Sequence, residues 1–295
     1  MRLVFMGTPA FAVPSLEGLA EAGHQLAGVF SQPDKPVGRH HNKLQPTPVK
    51  ERALARGIPV YQPETLRDGT ALSILQELAP ELIVVAAYGR FLPDEILALP
   101  PKGCINVHSS LLPKYRGSAP INWAILNGER VTGVTIQRMV REMDAGDIIL
   151  QQSTPIGETE DAAALYDRLA RLGGELAVEA VAQIQAGTAT CTPQDHTQAT
   201  QAPMLSKAMS PVDWTRSAQE IFNQIRGLYP WPGASTTALT GEPIKLWGAQ
   251  VVEKHTDATP GTVIAAGKQG IDVACGDFMT LRILELQAPG KKRMS

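Results

Sequence analysis

Residues 103–121 read GCINVHSSLLPKYRGSAPI, and this stretch decides the fold. Gly103 to His108 alternates as a strand does, so Asn106 and His108 share one face while Ile105 and Val107 fall on the other. Ser109 to Gly117 then reads as a loop, punctuated by Pro113 and Gly117 and without a helical period. An amide and an imidazole at the end of a strand, followed by a compact apolar loop, occupy the place where open α/β sheets bind their ligands.

The segments on either side extend an α/β alternation. Upstream, strands are expected at Arg2–Met6, Gln25–Phe30, Pro59–Val60 and Leu82–Ala87, with helices at Ala10–Ala22, Pro48–Arg56 and Thr70–Leu78. Downstream come a helix at Ala119–Leu126, β-branched strands at Val131–Arg138 and Gly146–Ser153, and a long helix at Ala162–Ala186. This order predicts a Rossmann-like, doubly wound, mostly parallel sheet. The first turn, Gly7-Thr8-Pro9-Ala10-Phe11, lacks the second and third glycines of a dinucleotide fingerprint, so no NAD site is expected.

The first domain is expected to span residues 1–189. Residues 190–203, rich in Thr, Gln, Pro and Ala, read as a linker. Residues 204–295 read as a second module: one amphipathic helix within Leu205–Leu228, then the stiff turn Tyr229-Pro230-Trp231-Pro232-Gly233. Short strands at Ala234–Leu239, Ile244–Val252, Gly261–Ala265, Gly270–Ala274 and Thr280–Leu286 have the spacing of a small all-β barrel.

Composition narrows the class. An apolar fraction of 43% over 295 residues supplies two cores and excludes a disordered chain. The opening MRLVFMGTPAF is too briefly apolar for a signal peptide, and no later run approaches a membrane span, so a cytoplasmic protein is expected. Cys104, Cys191 and Cys275 are odd in number and show no metal-ligand spacing; reduced thiols are expected, with neither a disulfide framework nor a metal site. The net charge of −2 conceals an asymmetry: Asp34 to Arg56 holds six Lys or Arg against two acids, while Glu158 to Glu179 holds six acids against two arginines. Nothing in the pattern requires a dimer, and a monomer is expected.

The quoted stretch resembles the formyltransferases that use 10-formyltetrahydrofolate. Their signature is an Asn-x-His strand, a Ser-Leu-Leu-Pro folate loop and an aspartate in an Asp-x-Gly-Asp turn, found here as Asn106-Val107-His108, Ser110-Leu111-Leu112-Pro113 and Asp144-Ala145-Gly146-Asp147. Spacing alone leaves open that Asn106 ties two strands together, that His108 is a core histidine and that Asp144 only shapes its turn. The resemblance implies instead that Asn106, His108 and Asp144 are catalytic. Formyl transfer to an amine develops an oxyanion, which Asn106 and His108 would stabilise as donors, while Asp144 would favour the charged imidazole and accept the amine proton. Ser110, Leu111, Leu112 and Pro113 are expected to form one wall for the folate, and Arg90, Phe91 and Leu92 the other.

Members of this family formylate glycinamide ribonucleotide, an aminosugar nucleotide or the methionyl end of initiator tRNA. Ser31 to Lys50, SQPDKPVGRHHNKLQPTPVK, resembles the inserted loop of methionyl-tRNA formyltransferases, which enters the acceptor arm of the tRNA. Leu205-Ser206-Lys207, Asp213-Trp214 and Pro230-Trp231-Pro232-Gly233 resemble the same group's C-terminal domain, an OB-like barrel. The resemblance implies methionyl-initiator tRNA and tetrahydrofolate as partners, with Lys35, Arg39, Lys43 and Lys207 on the tRNA. Family members continue for a short segment beyond the position of Ser295, so the second module is expected to be truncated at its C-terminal end. A formyltetrahydrofolate hydrolase and an aminosugar-nucleotide formyltransferase are the alternatives that share the same three residues.

Overall fold

The structure, a computed structural model, describes residues 1–37, 43–238 and 241–295. Two compact units are resolved. One comprises residues 1–117, 133–154 and 166–201; the other comprises residues 118–132, 155–165 and 202–295.

The first unit is built on a seven-stranded sheet of order β5-β2-β1-β6-β7-β8-β9. These strands are β1 (Arg2–Gly7), β2 (Gln25–Phe30), β5 (Val60–Tyr61), β6 (Leu82–Ala86), β7 (Cys104–His108), β8 (Val131–Arg138) and β9 (Ile148–Pro155). β5, β2, β1, β6 and β7 run parallel, joined through α1 (Val13–Glu21), α2 (Pro48–Ala55), α3 (Thr70–Leu78) and the short α4 (Asp94–Leu97). β8 pairs antiparallel with β7. The connection between them gives this sheet no crossover helix, because its helix α5 (Pro120–Leu126) belongs to the second unit.

Within Ser31–Lys50, the described residues form a hairpin, β3 (Lys35–Val37) with β4 (Lys43–Gln45), where the sequence suggested only a loop. Its base is pinned. Thr47 caps α2 by accepting from the Lys50 N–H at 3.2 Å, and Pro48 fills the first turn, where a missing N–H costs nothing. Lys50 is paired with Asp34 at 2.6 Å and donates to Gln62 at 2.8 Å. The Lys50 bond, followed by that from Gln62, holds the Asp34 carboxyl below the usual carboxylate range.

One sheet face packs Val4, Met6, Ile83, Val85 and Cys104 against Ala71, Leu75 and Ile96. The other receives the long helix α6 (Ala162–Ala186), whose central Gly173 and Gly174 permit a close approach. A Cβ on Gly173 would lie 2.8 Å from Val107 Cγ1, and one on Gly174 would lie 2.8 Å from the Pro14 backbone. Two good-helix positions therefore carry glycine so that α6 can brace β7 directly beneath the Asn106–His108 face.

The second unit contains a five-stranded antiparallel sheet of order β10-β11-β14-β13-β12, the strand number of an OB-like barrel. Its strands are β10 (Ala234–Thr237), β11 (Pro243–Val252), β12 (Val263–Gly267), β13 (Gly270–Ala274) and β14 (Thr280–Gln287); Leu239, expected to end β10, lies outside the described residues. Helix α7 (Ala218–Gly227) begins with a capping box between Ser217 and Glu220, and buries Ile221, Phe222 and Ile225 against Leu246, Leu281 and Ile283. Arg293 lies over the Trp247 ring, 4.1 Å from its centroid. Among the described residues, no helix is long and apolar enough to cross a membrane.

Candidate active site

Strand β7 carries Asn106 and His108 to its C-terminal end on the face shared with Cys104. In the register with β8, Asn106 lies opposite Gln137 and His108 opposite Thr135. His108 is buried, and its Nε2 lies 2.9 Å from the Tyr115 carbonyl oxygen. A carbonyl only accepts, so Nε2 carries the proton of that bond. Nδ1 is left facing Asp144, 3.6 Å from Oδ1.

Asp144 occupies a turn beyond β8 with φ +53°, a left-handed conformation that aspartate tolerates better than most side chains. Gly146 is required in the same turn, since a Cβ there would sit 1.8 Å from the Arg138 carbonyl oxygen. The carboxylate is held on both oxygens: Oδ2 accepts from the Gly117 N–H and Oδ1 from Gln137 Nε2, each at 2.9 Å. The imidazole edge and the carboxylate are thus fixed before any substrate arrives. Asn106 is half-buried, and its side chain takes part in no hydrogen bond among the described residues. An unpartnered amide beside an oriented imidazole can hold a developing negative charge, and a carboxylate at that distance can accept a proton.

The loop after β7 is rigid for reasons the sequence did not reveal. Ser110 donates through Oγ to the Lys114 carbonyl at 2.6 Å. Thr135 Oγ1 donates to the Ser110 carbonyl at 2.7 Å and accepts from the Leu112 N–H at 3.2 Å. Gln151 Nε2 donates to the Leu112 carbonyl at 3.0 Å. Leu112 is buried, and Leu111 packs over Gly133, whose Cβ would fall 2.5 Å from Leu111 Cδ2. Leu111 and Pro113 keep part of their surface exposed.

Leu92 joins the core cluster that contains Cys104, whereas Phe91 is 66% exposed. Arg90 donates from Nε to Gln32 Oε1 at 3.0 Å and bonds the Glu64 carbonyl. Gln32 and Thr8 in turn both donate to the Tyr88 carbonyl, which ties the ends of β1, β2 and β6 together. Lys35 lies exposed on β3 and Lys43 begins β4, while Arg39 lies outside the described residues. Lys207 is exposed in the second unit.

Sequence reasoning missed Arg116, Gln137 and Gln194. Gln137 could have been noticed as the one amide in a strand rich in β-branched residues. Beyond the Asp144 turn, Arg116, Val140, Glu142, Met143, Ala145, His196 and Gln201 line a concavity of about 640 Å³. Among the described residues, no cluster of three or more His, Cys, Asp or Glu side chains could hold a metal ion.

Comparison with known proteins gives this geometry a family. A model described as Formyl transferase matches residues 1–181, and one described as Formyl transferase, C-terminal domain, matches residues 204–295. The chain is 49% identical over 294 residues to the methionyl-tRNA formyltransferase of Alkaliphilus oremlandii, covering 100% of this chain and 94% of that protein. It is 48% identical over 293 residues to that of Bacillus subtilis, covering 99% and 92%. Among solved structures it shares its fold with WlaRD, a sugar 3N-formyl transferase in the presence of dTDP and 5-N-formyl-THF, with a TM-score of 0.72, 18% identity and 99% of both chains covered. HypX from Aquifex aeolicus in complex with tetrahydrofolic acid gives a TM-score of 0.65 at 21% identity, covering 100% of this chain and 45% of that one. With both family models matched and full-length relatives near half identity, the chain belongs to the formyl transferase family, alongside the methionyl-tRNA formyltransferases.

Proposed function

We propose that the chain transfers the formyl group of 10-formyltetrahydrofolate to the α-amino group of methionyl-initiator tRNA. The observation that carries this reading is the fixed pairing of His108 with Asp144, beside an unpartnered Asn106, in a chain so similar throughout to methionyl-tRNA formyltransferases.

The folate supplies an activated formyl carbon. As the amine attacks that carbon, negative charge gathers on the formyl oxygen, which the Asn106 amide stabilises as a donor, joined by the Nδ1 edge of His108 when the ring carries a proton on both nitrogens. The new nitrogen–carbon bond forms as the bond to the folate nitrogen breaks. Asp144 takes the proton that the amine loses, directly or through water, and the same proton is returned, by the same route, to the departing folate nitrogen. No nucleophilic serine or cysteine is needed. The exposed surfaces of Leu111, Pro113 and Phe91 provide apolar contact for the folate ring system, and Lys35, Arg39, Lys43 and Lys207 engage the tRNA backbone.

Formyl transfer measured with methionyl-initiator tRNA, an aminosugar nucleotide or water as acceptor tests the reading. Transfer to the tRNA is expected to exceed the other two by orders of magnitude. Preferential turnover with water or with the aminosugar nucleotide would overturn it.

A further inference from the structure

Gln194 lies in the tract whose composition reads as a linker, yet its side chain is buried against the catalytic turn. Nε2 lies 2.8 Å from the Asp144 carbonyl oxygen, 2.7 Å from that of Gly146 and 3.3 Å from Gln137 Oε1. Oε1 accepts from Arg116 Nε and NH2 at 3.2 and 2.6 Å. Three acceptors on one side and a guanidinium on the other fix the orientation of the amide, because a flip would set oxygen against oxygen and nitrogen against nitrogen.

The surrounding tract is sewn to the same site. Thr192 and Ile148 exchange both backbone hydrogen bonds, at 2.8 and 2.9 Å. The Thr200 carbonyl accepts from the Arg116 N–H at 2.9 Å, and Thr200 Oγ1 accepts from the Tyr115 N–H at 2.8 Å. An unbroken chain of hydrogen bonds therefore runs from Arg116 through Gln194 and Gln137 to the Asp144 carboxylate.

We propose that Gln194 is a positioning residue for formyl transfer: by gripping the Asp144 and Gly146 carbonyls and orienting Gln137, it sets the carboxylate of Asp144 against His108. The proposal rests on the catalytic reading of Asp144 given above. A displacement of the carboxylate by about 1 Å is enough to cost up to about a hundredfold in rate.

Gln194→Met keeps length and volume but removes both donors. It is expected to lower kcat ten- to a hundredfold while leaving KM for methionyl-tRNA within twofold. Gln194→Glu, which retains the acceptor for Arg116 and loses the donors, is expected to lose a comparable factor, and it provides the reading if the methionine variant does not fold. The decisive step is to repeat either substitution in an Asp144→Asn background. A residue that acts through the carboxylate has little left to lose there, whereas general destabilisation costs the same factor in both backgrounds. Full kcat in a folded Gln194 variant, or an equal loss in both backgrounds, would overturn the proposal while Asp144→Asn remained slow. Wild-type turnover of Asp144→Asn would instead overturn the catalytic reading of Asp144 and this inference with it.

Discussion

The Tyr115 carbonyl oxygen and His108 Nε2 lie 2.9 Å apart, and this bond selects the imidazole edge that faces the site. Tyr115 accepts it from a left-handed backbone, φ +62°, which is uncommon for a bulky side chain. The conformation is maintained by its neighbours: the Tyr115 N–H donates to Thr200 Oγ1, and the next residue's N–H donates to the Thr200 carbonyl. A local backbone cost at Tyr115 is thus offset by bonds from a tract about 85 residues away in sequence.

Since Nε2 is occupied by the Tyr115 carbonyl, His108→Ala should remove the Nδ1 edge, a donor in the charged ring, without disturbing the exposed surfaces of Leu111 and Pro113. Loss of a donor to a developing oxyanion costs about a hundred- to a thousandfold in turnover. Single-turnover formylation should show that loss, while a formylfolate analogue binds as tightly as to the wild type. Near-normal turnover at saturating substrates would remove His108 from the mechanism.

The parallel half of the sheet was legible because apolar runs alternate with helical periods, and each is local. The shared face of Asn106 and His108 was legible for the same reason, since period two fixes it within three residues. Strand direction leaves no trace in periodicity, so nothing local announced that β8 runs against β7. Asp144 stood out through a short motif, but the groups that hold it did not. Gln194 meets Asp144 across 50 positions, from a tract whose only local signal was a scarcity of large apolar residues. Its burial is a product of tertiary pairing, which composition does not encode.

The three cysteines should separate cleanly by reactivity. Burial pushes the Cys104 thiol up to about 12 and the Cys275 thiol up to about 11, while Cys191 is exposed. A thiolate-selective reagent at pH 8 should modify Cys191 alone in the folded protein and all three after denaturation. Mass mapping of labelled peptides checks this. Rapid labelling of Cys104 under native conditions would show that the core beneath Asn106 opens far more readily than its packing implies.

The capping box of α7 should govern part of the acid sensitivity of the second unit. Ser217 Oγ donates to Glu220 at 2.8 Å and accepts from its N–H at 3.2 Å. Hydrogen bonds from the Ser217 side chain and backbone, with Arg216 adding to them, hold the Glu220 carboxyl down at about 2. A folded value below the unfolded one means the contribution is complete at neutral pH and is lost as pH falls through the carboxylate range toward 2. Its size is reduced by solvent, because the Glu220 side chain is 48% exposed. Ser217→Ala should lower stability by about 1 kcal/mol at pH 7 and by less at pH 3, read from urea midpoints. An equal loss at both values would show that the carboxylate takes no part in the cap.

The hairpin insertion separates tRNA formylation from the alternatives, because it should matter to a nucleic-acid acceptor and be irrelevant to folate. Its lower end is locked by the Asp34–Lys50–Gln62 cluster, so Lys50 already has a partner, and the other cations of the insertion are Lys35, Arg39 and Lys43. On the proposed tRNA reading, replacing Arg39 and Lys43 with alanine would leave up to two phosphates without a cation. The slope of log affinity against log salt should become shallower by roughly one for each such phosphate. Catalytic efficiency toward methionyl-tRNA should fall most at low salt, where attraction to the phosphates is strongest, and a formylfolate analogue should bind unchanged. If the double variant formylates initiator tRNA as efficiently as the wild type at every salt concentration, the insertion is a solvated hairpin. Recognition of the acceptor would then depend on the second unit, and Lys207→Ala would become the substitution expected to flatten the salt dependence.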